Sequence, residues 1–139
     1  MKIKGIVFLG FALVSLACAG EVFADKSSVK IEAPEVAEKG AEIVIKILVF
    51  HKGNNFIHYT NWVDVKINDK PVKRWTFSAS DRPEAENFTR EVTYRVTEPV
   101  TIVAEANCIL HGSEGPATWT VSLAPTQTEK EDRQEESKP

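Results

Sequence analysis

Histidine and cysteine are scarce in this chain: three of the first and two of the second in 139 residues. Basic blocks are missing as well. The formal charge is −3, and about −4 once residues 1–24 are set aside, which argues against nucleic acid as a partner. No apolar run is long enough for a comfortable membrane span, since the longest covers only residues 6–17. No segment of the folded region sustains the 3.6-residue apolar spacing of a helix. Paired carboxylates in a hydrolase arrangement are also absent; Asp81, Glu84 and Glu86 read as an acidic, solvated connection.

What is present begins with a leader. Lys2 and Lys4 precede the apolar stretch, and small residues lead to Val22-Phe23-Ala24, the layout of a secretory signal peptide spanning 1–24. Lipidation at Cys18 is the second reading. Cleavage after Ala24 predicts a periplasmic or secreted protein with no stable membrane span, and it leaves Cys108 as the one remaining thiol. In an oxidising compartment a single thiol is exposed to oxidation or intermolecular pairing. Metal ligation would protect it; the plainer alternative is a buried, inert cysteine.

Residues 126–139 are charged and polar, and cannot bury enough apolar surface to offset chain entropy, so they are expected to form a disordered tail. Between them and the leader, residues 25–125 are long enough for one domain with a core. Short β-branched, alternating runs at 29–31, 41–50, 57–67, 72–77, 88–96, 100–106 and 118–123 are separated by turn residues, notably Asn68-Asp69 and Glu98-Pro99. About seven such strands predict an all-β, immunoglobulin-like antiparallel sandwich. Trp62, Trp75 and Trp119 are expected as core aromatics.

The three histidines and the surviving cysteine fall in two places, His51 to His58 and Cys108-Ile109-Leu110-His111. Each lies beside a strand end, and loops on a rigid sheet are where sites are usually built. Imidazole and thiolate hold borderline transition metals at neutral pH. The ligand set alone leaves iron and zinc open.

Three pieces of the chain carry a family likeness: Val29-Lys30-Ile31-Glu32-Ala33-Pro34-Glu35, His51 followed by His58-Tyr59-Thr60-Asn61-Trp62, and Asn107-Cys108-Ile109-Leu110-His111-Gly112. Together, and in this order, they resemble the iron domain of superoxide reductases, the neelaredoxin and desulfoferrodoxin family. The resemblance implies a sandwich carrying one mononuclear non-haem iron, with four equatorial histidines and an axial cysteine thiolate, that reduces superoxide to hydrogen peroxide. It assigns His51, His58 and His111 as histidine ligands, Cys108 as the thiolate and Lys26 as the lysine that attracts superoxide. The fourth histidine is missing: Ser27 stands in its place after Asp25-Lys26. With no rubredoxin-like cysteine set, electrons are expected from a separate donor; a homo-oligomer is left open. A competing expectation is a sulfur-carrier binding protein resembling SoxZ, against which the Cys108–Gly112 loop counts. A third is a family member that binds metal without reductase activity.

Overall fold

The computed structural model describes residues 25–126. The leader at 1–24 and residues 127–139 of the expected tail lie outside the described residues. Eight strands form: β1 (Ser28–Glu32), β2 (Val36–Ala37), β3 (Glu42–Phe50), β4 (Thr60–Ile67), β5 (Lys70–Thr76), β6 (Phe88–Arg95), β7 (Val100–Cys108) and β8 (Ala117–Leu123). They make a three-stranded sheet in the order β1-β3-β6 and a five-stranded sheet in the order β2-β8-β7-β4-β5. Every pairing is antiparallel except that of β2 with β8, which is parallel. The expected sandwich is present, with β2 as an additional strand. No helix among the described residues is long and apolar enough to cross a membrane.

Alternation builds the core. Ile43, Ile45, Ile47 and Val49 of β3 face inward, as do Val63, Val65 and Ile67 of β4 and Val100, Ile102, Ala104 and Ala106 of β7. A side-chain period of two puts each set on one face of its strand, where it packs against the opposite sheet. Continuing these series by one step leads to the site: His51 follows Val49, and Cys108 follows Ala106. On β1, Ile31 and Val29 lead back to Ser27 at the same end, because Ser28 pairs with Phe50. Thr60, opposite Cys108, completes a layer of buried polar positions where the apolar core stops.

The β4–β5 hairpin turns on Asn68 and Asp69, both left-handed at φ 48° and 64°. Asn and Asp tolerate this conformation, and the resulting turn matches the twist of the flanking strands. Of the tryptophans, Trp75 and Trp119 pack against the core as expected. Trp62 instead lies on the outer side of β4, beneath the guanidinium of Arg74. The five-stranded sheet is solvated on that face, so an inward role is closed to it.

Arg90 of β6 lies over Phe88 and Phe77 and grips Glu84 with both terminal nitrogens, at 2.8 and 2.9 Å. This bidentate bond holds the Glu84 carboxyl down to about 2, from an ordinary 4.5. The folded-state value is the lower one, so the pair stabilises fully above about pH 4.5 and its contribution is lost as the pH falls toward 2. Glu84 is largely exposed, which limits the effect to below about 1 kcal/mol. The urea midpoints of the protein and of Glu84→Gln are expected to differ slightly at pH 6 and to converge by pH 2.5. An unchanging difference would remove the pair as the cause.

Candidate metal centre

His51 emerges at the end of β3 in a buried position, 6% exposed. Its Nε2 lies 3.0 Å from the Asp25 carbonyl, which can only accept, so Nε2 carries the proton. The lone pair then sits on Nδ1, which is buried and has no hydrogen-bond partner. Burial lowers the pKa of this imidazole; the nearby Gly53 backbone opposes the shift without bonding to Nδ1, and His58 reinforces it. The ring is thereby held neutral, the form a metal requires.

His58 does not begin β4, as the alternation had implied, but stands two residues before it. Asn55 explains the difference. Its Oδ1 accepts from the backbone N–H groups of Ile57 and His58 at 3.1 and 3.0 Å, and the Asn55 and His58 backbones bond reciprocally, closing a tight turn that projects the imidazole. The rings of His51 and His58 meet edge to face, with centroids 4.7 Å apart.

Cys108 ends β7 with its side chain turned inward, 1% exposed. Its backbone bonds reciprocally to that of Gly112 at 2.9 Å, and Gly112 turns at φ 83°, a conformation glycine adopts without strain. This short reversal brings His111 back over the thiol: His111 Nδ1 lies 3.9 Å from Cys108 Sγ and 3.1 Å from His58 Nε2. The Ile109 N–H donates to the Tyr59 carbonyl at 3.1 Å, tying this loop to the one that carries His58.

Donor atoms of His51, His58 and Cys108 all lie within 4.8 Å of one another, and His111 joins them through its two contacts. Ligands on opposite sides of one ion stand about 4.0–4.6 Å apart at bond lengths of ~2.0–2.3 Å, close to the spacing of these donors, so a single metal could join them. The orphaned Nδ1 of His51 gives the same answer independently, since a buried lone pair without a partner is costly unless something fills it. His111 is solvent-exposed, and the loops bearing the ligands also expose Phe56, Ile57, Ile109 and Leu110.

Ser27 is fully buried, and its hydroxyl shares a 2.7 Å hydrogen bond with that of Thr60. Its backbone is bonded to Gly112 and Glu114, so it is fixed beside the Cys108 turn. Lys26 is exposed and lines a hollow at the flank of His51 that Lys52 and Glu86 also line. Reading the residues missed the Asp25 carbonyl and Thr60. The first acts through its backbone and leaves no trace in residue type, whereas Thr60 could have been found as the polar residue facing Cys108 once the strands were paired.

With the geometry established, comparison with known proteins places the chain. The desulfoferrodoxin family model matches residues 20–114. The chain belongs to the desulfoferrodoxin family. A superoxide reductase (neelaredoxin) from Ignicoccus hospitalis is 20% identical, covers 72% of this chain and 83% of its own, and superposes with a TM-score of 0.61. A putative superoxide reductase from Thermotoga maritima is also 20% identical, with coverage of 70% and 86% and a TM-score of 0.55. The CARDB domain of a Pyrococcus furiosus protein, solved in complex with di-metal ions, is 21% identical, with coverage of 73% and 96% and a TM-score of 0.55. At these identities the structural likeness speaks for the fold. No curated protein matches the chain.

Proposed function

We propose that this desulfoferrodoxin homologue is an exported iron protein that reduces superoxide to hydrogen peroxide. The observation that carries the proposal is the meeting of His51, His58 and Cys108 donor atoms within 4.8 Å of one another at a single end of the sandwich, with His111 beside Cys108 and His58. His51, His58, His111 and Cys108 would hold the metal, and this mixture of intermediate and soft donors suits iron better than calcium or magnesium. The bound iron would supply one electron. Superoxide, that electron and two protons give hydrogen peroxide, so the atoms and charges balance without another oxidant. A separate one-electron donor would restore the ferrous state.

The chain's own residues supply the remainder. Lys26 and Lys52 place positive charge at the flank of His51, where it would attract a small anion. The buried His51 ring stays neutral and so remains available as a ligand while the neighbouring lysines carry charge. The Ser27 hydroxyl is already bonded to that of Thr60 and, as a neutral oxygen, would be a weaker donor to a borderline metal than an imidazole.

This last observation favours a second reading, a metal-binding protein without reductase activity, in which His51, His58, His111 and Cys108 would hold iron or zinc. Superoxide generated enzymatically in the presence of the ferrous protein separates the two. The reductase reading requires superoxide to disappear with hydrogen peroxide appearing and no dioxygen released. An iron-loaded protein that leaves superoxide decay at its spontaneous rate sinks that reading and supports the second.

A further inference from the structure

The loop carrying His51 and His58 is held from outside by the segment that leads into β6. The His51 N–H donates to Asn87 Oδ1 at 3.2 Å, the Gly53 N–H to Glu86 Oε1 at 3.0 Å, and Asn54 Nδ2 to the Pro83 carbonyl at 2.7 Å. Glu86, expected in a solvated acidic connection, is therefore a backbone partner of the ligand loop. Glu84 is engaged too, by Arg90.

Gly53 is the point where this support reaches a ligand. Its φ is 116°, and a Cβ built on it would fall 2.6 Å from Nδ1 and 3.0 Å from Cε1 of His58. Real Cβ atoms do not approach so closely, so the imidazole occupies space that only glycine leaves empty. Contact at the Nδ1 edge directs the opposite nitrogen, Nε2, toward His111 and the thiol. Gly40 and Gly115 have similarly positive φ values of 91° and 109°, yet nothing lies within 4 Å of the Cβ either would gain. They share the backbone strain of a substitution without the steric conflict.

We propose that Gly53, pinned by Glu86, is a positioning residue that aims His58 Nε2 into the metal centre. The inference rests on the metal-centre part of the reading above and is independent of superoxide chemistry. Outer groups that orient ligands typically change metal affinity about 10–100-fold when altered.

Co2+ is the probe, because thiolate and imidazole ligation give it characteristic near-ultraviolet and visible bands. Gly53→Ala is expected to weaken Co2+ binding roughly 10–100-fold and to alter the visible bands. Gly40→Ala should leave both as in the parent, although its urea midpoint falls for the backbone reason alone. Glu86→Ala is expected to weaken binding roughly tenfold, the lower end of that range, and Glu86→Gln, which keeps an oxygen acceptor, to restore most of it. The Glu86 pair keeps the test open if Gly53→Ala fails to fold. The proposal is overturned if Gly53→Ala binds Co2+ as the parent does, if Gly40→Ala loses as much affinity, or if neither Glu86 variant differs from the parent. A parent protein that binds no Co2+ through Cys108 overturns it together with the metal centre. Failure of superoxide reduction alone does not touch it.

Discussion

Cys108→Ser is expected to abolish the thiolate-to-ferric absorption of the iron-loaded, oxidised protein, to weaken metal binding by more than the ~100-fold typical of outer-shell changes, and to leave superoxide decay at background. A hydroxyl keeps its proton at neutral pH and is a poor donor to a borderline metal, whereas a thiol beside a cation ionises and becomes its strongest anionic ligand. Burial sharpens the contrast, because at 1% exposure the position admits little water that might substitute for the sulfur. The same substitution should change the stability of the metal-free fold by only about 1 kcal/mol, since the serine hydroxyl can bond to the neighbouring His111. Absorption and metal titration measure the first effect, and urea unfolding without metal measures the second. A band that survives in the serine variant removes the thiolate from the centre.

Ile47→Ala is expected to cost about 3 kcal/mol of stability, the middle of the range for truncating a fully buried isoleucine. Ile47 is completely buried on β3, the strand hydrogen-bonded to β1 on one side and β6 on the other. With both neighbours fixed by backbone pairing, the vacated volume cannot be closed by moving a strand. Urea unfolding should show a midpoint lower by about 1–2 M with an unchanged slope. A loss below about 1 kcal/mol would mean that the two sheets settle together more freely than their packing indicates.

Much of this fold can be read from residue order, because its strands are long and alternate strictly. The series Ile43, Ile45, Ile47, Val49 and the series Val100, Ile102, Ala104, Ala106 each mark an inward face without ambiguity. Two residues of β2 carry no period at all, so a parallel edge strand at Val36–Ala37 is visible only in the completed sheet. His58 was displaced from its expected strand by the Asn55 side chain, whose local bonds compete with strand pairing. The residues that the structure brings together, His51, His58 and Cys108 with His111 beside them, were legible by type, and the inward alternation even gives direction to two of them. What could not be read was the backbone around them: the Asp25 carbonyl that fixes the His51 tautomer, and the bare Gly53 Cα against which His58 rests. Carbonyls and missing side chains have no identity in a sequence until the chain has folded.

The donors come from both layers of the sandwich, His51 from the end of β3 in one sheet and Cys108 from the end of β7 in the other. A metal seated between them is therefore also a cross-link. Within the described residues Cys108 has no second cysteine with which to form a disulfide, and an ion can take over that mechanical role by joining strands far apart in the chain. Metal bound only to the folded state adds to stability in proportion to the logarithm of its concentration over its dissociation constant. Removal of such a metal would then release this end of the molecule first, coupling occupancy of the candidate site to the firmness with which the two sheets are clasped.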